Sequence, residues 1–199
     1  MLRAVMSLSG FALFVTVGVG ARLWLQYRAT GDAGLRIFRG GTRALVAAAL
    51  FIFGFGLAPL APLAALLRAP AADPLPSAVH AIGLCLLVLG FALTVVAQRS
   101  MGTSWRMGVD RDEQTALVTH GVFARVRNPI YTGILLVLTG MLLLVPGPLA
   151  AAALGCTWLG LQIQVRALEE PYLERVHGER YRSYARRTGR FVPGLGRMR

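Results

Sequence analysis

Long apolar runs separated by short, arginine-bearing polar connections set the pattern of this chain. A spanning helix needs about 20 mainly apolar residues to cross about 30 Å of hydrocarbon. Ala4 to Leu25, Ala44 to Leu67 and Ala78 to Ala97 meet that requirement and are predicted to span. Ile130 to Val145 and Leu149 to Val165 are shorter and are joined only by Pro146-Gly147-Pro148. So tight a turn forces an antiparallel helical hairpin, whose helices can extend past the apolar stretch at the opposite face. The expected fold is all-α: a polytopic membrane protein with about five transmembrane helices, the last two a tight hairpin, followed by a cytoplasmic C-terminal helical segment.

The first run carries Arg3 ahead of an apolar core, as a signal peptide would, but no small-residue cleavage site precedes Ala21-Arg22-Leu23-Trp24. That tetrapeptide reads as an interfacial anchor, and the run is expected to be a retained helix. Pro59, Pro62, Pro70, Pro74 and Pro76 should kink the second helix and then end it. Beyond the hairpin, Tyr172, Leu173, Val176, Tyr181 and Tyr184 recur at roughly helical spacing among arginines. They predict an amphipathic helix, broken at His177-Gly178, lying on the membrane surface or folding over a site.

Composition agrees with the bilayer reading, at 55 % hydrophobic and 15 % charged residues with a mean hydropathy of +0.59. The formal net charge is +12, and every basic residue is Arg. In a soluble protein such a charge would suggest nucleic acid, but no aromatic-interleaved basic platform is present and no nucleic-acid partner is expected. The arginines instead set orientation. They crowd the connections from Arg22 to Arg43 and from Gln98 to Pro129 and the tail from Arg166 onward, while only Arg3 and Arg68 fall on the opposite side. By the positive-inside rule the N-terminus is outside and the C-terminus cytoplasmic, in the cell's inner (plasma) membrane. Cys85 and Cys156 lie in apolar runs and read as buried small hydrophobes. His80, His120 and His177 lack metal-ligand spacing, so no metal site is expected.

Two polar clusters call for chemistry. Leu117 to Tyr131, LVTHGVFARVRNPIY, leads through an Arg127-Asn128-Pro129 corner into the fourth helix. Pro129 suits the first helical turn and Asn128 the N-cap, and the same helix end could hold an electron-rich part of a ligand. Gly102, Gly108 and Gly121 in the preceding connection permit close backbone approach or positive φ. At the other end of the hairpin, Glu169 and Glu170 follow Gln162, Gln164 and Arg166. Adjacent carboxylates point about 100° apart on a helix, so one can face solvent while the other faces a pocket. Polar groups at membrane depth are costly unless they face protein or a water-filled cavity. The hairpin should therefore bring both clusters together at one membrane face.

Leu117 to Tyr131, the hairpin, Glu169-Glu170-Pro171-Tyr172-Leu173, His177-Gly178-Glu179-Arg180-Tyr181-Arg182-Ser183-Tyr184 and the terminal Arg190-Phe191-Val192-Pro193 occur in one order. In this the chain closely resembles the isoprenylcysteine carboxyl methyltransferase family, over about Met101 to Pro193. The resemblance implies a membrane-embedded enzyme that uses S-adenosylmethionine in a cytoplasm-facing pocket. It implies that Leu117, Val118, Phe123, Asn128, Pro129 and Tyr131, with His120 and Gly121 in the same stretch, bind the cofactor. Glu169 would hydrogen-bond it, and Arg166 would lie near the methyl acceptor. Many members have His where Asn128 stands and Tyr where Phe123 stands, so a polar contact is altered at each place. Residues 1 to about 95 carry no signature beyond their spans.

Methyl transfer from a sulfonium is an in-line displacement, so the protein's tasks are alignment and exclusion of water. A carboxylate acceptor would want a cation such as Arg166 or Arg127 to orient it, whereas an amine, thiol or phenol would need a base, Glu169 or Glu170. The expected organisation is a three-helix membrane region, 1–97, followed by a cofactor-binding catalytic region, 98–199. The expected function is S-adenosylmethionine-dependent methyl transfer to a lipophilic small molecule or lipid that enters from the surrounding membrane lipids. The alternatives are an NADPH-dependent membrane reductase of the sterol-reductase type and a non-catalytic transporter or sensor. The sequence sets neither the oligomeric state nor the acceptor.

Overall fold

The computed structural model describes residues 1–36, 41–68, 75–102, 105, 107–108 and 116–198. Its helices are α1 (Leu2–Thr30), α2 (Gly41–Leu67), α3 (Ser77–Met101), α4 (Pro129–Leu144), α5 (Pro148–His177) and α6 (Glu179–Arg187). Four of these, α1, α2, α3 and α5, are long and apolar enough to cross a membrane, and α4 is a shorter apolar helix. The chain is thus an integral membrane protein of the all-α polytopic kind, and the runs read from the sequence all become helices. Most extend further than their apolar stretch, α5 furthest, as a hairpin with a short turn requires. One end of the bundle, the basic end, gathers Arg22, Arg99 and Arg127. The other holds the Pro146-Gly147-Pro148 turn, where His80 Nδ1 meets the Leu143 carbonyl oxygen at 2.8 Å.

Local sequence explains where the helices stop and bend. Thr30 is followed by Gly31 at φ 73°, a left-handed residue whose N–H returns to the Tyr27 carbonyl. Gly178 at φ 53° separates α5 from α6, so the break expected at His177-Gly178 is present. In α2 the regular helix is interrupted at Ala58-Pro59 and ends at Leu67; Pro70 and Pro74 lie outside the described residues. Two segments are wound more widely than an α-helix, with π-type turns: Phe14–Ala21 within α1 and Gln164–Glu169 within α5.

Packing is carried by small residues. α3 lies along α4, and a Cβ on Gly83 would sit 2.9 Å from the Gly140 carbonyl oxygen. α2 lies along α5 in the same manner, with Gly54 against Thr157 and Gly160 against Ala47. Lipid gives helices no hydrophobic reason to associate, so close backbone approach supplies the dispersion that holds them. The shared core joins Phe11, Phe14, Leu87, Val137, Leu138 and Met141. Cys85 corrects an expectation: it is exposed, because it stands about 200° round α3 from Gly83, which faces α4. Cys156 is half-buried, and both are free thiols.

Two connections at the basic end are joined. Residues Leu35–Arg36 (β1) pair in parallel with Met107–Gly108 (β2), and Arg22 donates to the Gly102 carbonyl while its guanidinium lies 5.0 Å from the centroid of the Trp105 ring. The N-terminal helices are thereby tied to the segment that leads toward Arg127.

Candidate functional site

At the basic end the helices enclose a cavity of about 380 Å³. Its polar side is built from the two clusters singled out in the sequence: Leu117, Val118, Phe123, Arg127, Asn128, Pro129, Tyr131, Glu169 and Glu170 all line it. The hairpin therefore brings the Arg-Asn-Pro corner and the twin glutamates together. Arg106, Asp110, Arg111, Asp112, Glu113 and Gln114 lie outside the described residues.

Three of the residues implicated by the resemblance stand elsewhere. His120 and Gly121 are exposed and off the lining, Gly121 serving at φ 59° to start the short helical turn Gly121–Ala124. Arg166 is exposed, its Nε donating to Gln162 Oε1 at 2.9 Å. On a regular α-helix Arg166 would share a face with Glu169 and Glu170. The wide turns of Gln164–Glu169 carry more residues per turn, which takes Arg166 out of line with Glu169, three residues on.

Asn128 also departs from expectation, because its side chain does not cap α4. Its backbone N–H and its Nδ2 both donate to the Arg190 carbonyl, at 3.1 and 3.0 Å. The C-terminal segment competes for it: Arg127 N–H donates to Gly189 O at 2.8 Å and Thr132 Oγ1 to Phe191 O at 2.7 Å. Residues 188–198 thus form a strap across the first turn of α4.

Below the strap lies a buried ion cluster. Glu170, 5 % exposed, accepts from Arg127 Nη2 at 2.7 Å and from Arg190 Nε and Nη2 at 2.8 and 2.9 Å. The Arg127 guanidinium is held further by the carbonyls of Ala185, Thr188 and Gly196. Arg190 is kept more firmly charged than a free guanidinium, chiefly by its hydrogen bonds to Glu170. Glu169 has different partners: Tyr131 OH at 2.5 Å and Gln164 Nε2 at 3.2 Å, both on Oε1.

The tail closes one side with Tyr181 and Tyr184. Burial pushes the Tyr181 hydroxyl well above the usual phenol range, with the charge of Glu170 adding to the shift, and pushes Tyr184 up to about 12. Tyr184 OH donates to Phe123 O at 2.6 Å, fixing a lining residue to α6.

The opposite side had no signature in the sequence. Phe14 and Gly18 of α1, Ala47, Phe51 and Phe55 of α2 and Thr94 and Gln98 of α3 line it, with buried Trp105. Gln98 Nε2 donates to the Gly18 carbonyl at 2.6 Å, inside the widely wound part of α1. Both widened segments therefore border this cavity, in keeping with the tendency of π-type turns to occur at functional sites. Gln98 was legible as an amide ending an apolar run, a position that asks for a cavity or a partner. Phe14, Gly18 and Phe51 resemble any other residue of a span.

Comparison with known proteins gives the arrangement a lineage. Residues 78–180 match the family model described as phospholipid methyltransferase. The chain is 31 % identical over 113 residues to protein-S-isoprenylcysteine O-methyltransferase B of Arabidopsis thaliana, covering 56 % of this chain and 57 % of that protein. It is 30 % identical over 115 residues to protein-S-isoprenylcysteine O-methyltransferase of Tribolium castaneum, covering 56 % and 41 %. The matched stretch thus spans about half the length of these relatives. In fold it is similar to a solved eukaryotic intramembrane Ras methyltransferase, isoprenylcysteine carboxyl methyltransferase, with a TM-score of 0.62 at 18 % identity over 97 % of this chain and 68 % of that one. With just over half of its residues matched by the family model, and the likeness to isoprenylcysteine carboxyl methyltransferases upheld, the chain belongs to the phospholipid methyltransferase family.

Proposed function

We propose that this protein is a membrane methyltransferase that takes S-adenosylmethionine into the cavity and methylates a lipophilic acceptor at the cytoplasmic face of the inner membrane. The observation that carries the reading is the placement of Glu169. It lines a mostly apolar chamber with Oε1 held by Tyr131 and Gln164 and, among the described residues, no hydrogen bond on Oε2.

The residues present fit such a donor. A carboxylate with one unengaged oxygen suits hydroxyl or ammonium groups, and the aromatic and aliphatic walls of Phe123, Leu117 and Val118 suit a flat base. When bound, S-adenosylmethionine supplies an electrophilic methyl group on a positively charged sulfur. Tyr131 and Gln164 fix the Glu169 carboxylate, and the Glu170 ion cluster fixes the strap against the start of α4. Trp105 and the tail tyrosines add buried apolar wall to the chamber, and alignment and dryness are what an in-line displacement asks of its site.

The apolar side formed by α1 and α2 is suited to the greasy part of the acceptor, such as the isoprenoid chain in the relatives' names. A carboxylate acceptor arrives already deprotonated and needs no base. An acceptor that carries a proton would find in Glu169 the described lining carboxylate that no cation engages. The arginine distribution supports the orientation.

The test is direct. Purified protein in lipid is incubated with radiolabelled S-adenosylmethionine and either an S-isoprenylated cysteine or a total lipid extract, and labelled product is identified by mass spectrometry. Parallel titrations measure binding of S-adenosylmethionine and of NADPH. Label in a lipophilic product supports the proposal, whereas binding of NADPH without S-adenosylmethionine would overturn it in favour of a reductase.

A further inference from the structure

Two adjacent carboxylates in one chamber have been given opposite surroundings. Among the described residues, both cations that reach this pair engage Glu170, through Arg127 at 2.7 Å and Arg190 at 2.8 and 2.9 Å. Glu169 receives, among the described residues, only the neutral donors Tyr131 and Gln164. Arg127 is pinned by three carbonyl oxygens besides Glu170, and the Arg190 guanidinium is held by both oxygens of Glu170. Burying a carboxylate without a cation is unfavourable, and the cost is relieved when a positive charge enters.

We propose that Glu169 makes the cavity selective for positive charge on its ligand, so that a sulfonium methyl donor is held and the neutral thioether it becomes is released. This rests on the methyltransferase reading and adds to it a basis for product release. Charge is the property the reaction changes. The acceptor lone pair forms the new bond to the methyl carbon, the carbon–sulfur bond breaks with its electron pair going to sulfur, and the sulfur loses its positive charge. Adenosine and amino-acid portions are common to donor and product, so contacts to them cancel when the two affinities are compared. Between mostly apolar walls, the attraction between a carboxylate and a cation is stronger than in bulk solvent. Arg127 and Arg190 more than neutralise Glu170, which leaves the Glu169 carboxylate as the one uncompensated negative side chain among the described lining residues.

The experiment is calorimetric binding to the full chain in lipid, without acceptor. Three ligands are compared: S-adenosylmethionine, S-adenosylhomocysteine, and an analogue with a protonated amine in place of the sulfonium. The wild-type protein is expected to bind both charged ligands about tenfold or more tightly than the thioether, the scale that screened Coulomb attraction supplies. Glu169→Gln should bring the three affinities within about twofold of one another by removing that attraction, while Tyr131→Phe, which keeps the carboxylate, should preserve the preference. Should Glu169→Gln fail to fold, the wild-type protein still decides, because the amine analogue must follow the donor. A thioether that binds as tightly as the donor, or a preference that survives Glu169→Gln, overturns the proposal and leaves the methyltransferase reading standing. Absence of binding by all three overturns both.

Discussion

Gly90 of α3 and Gly133 of α4 approach so closely that a Cβ placed on Gly90 would lie 2.5 Å from the Gly133 carbonyl oxygen. The obstacle is backbone, with Val137 N at 2.8 Å beside it, so it cannot swing aside as a flexible side chain would. α4 is also the helix that positions Asn128, Pro129 and Tyr131 on the cavity wall.

Gly90→Ala is therefore expected to destabilise the protein by about 1–3 kcal/mol through overpacking and to lower cofactor affinity with it. Gly56→Ala is the control. Gly56 has nothing within 4 Å of its ideal Cβ, and alanine there should be neutral or slightly stabilising. Thermal unfolding in detergent, followed by circular dichroism, compares the two.

Glu170→Gln should cost about 3–5 kcal/mol, because it leaves Arg127 and Arg190 buried around a neutral amide. Arg190→Met should cost less, about 1.5–3 kcal/mol, since Glu170 retains Arg127. In both variants the strap loosens, and tryptic cleavage after Arg187 should accelerate before the bundle unfolds. Unchanged protease resistance would show that the strap does not depend on this cluster.

Tyr131→Phe removes the 2.5 Å donor to Glu169 and leaves the fold intact. Donor and product affinities should fall together by about fivefold to tenfold, the worth of one hydrogen bond of about 1 kcal/mol to a buried carboxylate. Titration calorimetry reads this, and an unchanged affinity would mean that Gln164 alone orients the group.

The Tyr184 hydroxyl, pushed up to about 12 by burial and partly offset by the charge of Arg127, titrates late. Its folded value lies above the unfolded one of about 10, so its contribution to stability is fully present below pH 10 and is lost as pH rises toward 12. The difference in phenolate absorbance between wild type and Tyr184→Phe should therefore develop near pH 12. Development near pH 10 would mean that α6 had already left the cavity wall.

Much of this architecture was legible in the sequence, because spanning runs and proline-glycine turns are local signals. The hairpin at Pro146-Gly147-Pro148 and the break at Gly178 needed no tertiary information. The meeting of Asn128 with Glu169 followed from the hairpin and the resemblance together. What failed was long-range or depended on helix winding. Asn128 stands at the N-cap of α4 as expected, but its side chain makes no capping bond, because the Arg190 carbonyl, 62 residues away, takes its amide. Arg166 turns outward and bonds Gln162. The share of α1 and α2 in the cavity left no trace, since a phenylalanine against a ligand and one against lipid are the same letter.

The chamber's walls come from positions as distant as Phe14 and Tyr184. Residues 98–199 are consequently no portable cassette: grafted onto foreign leading helices, they would meet a wall of different shape. A chimera of two homologues would take the apolar wall of its cavity from the N-terminal parent and the polar one from the C-terminal parent.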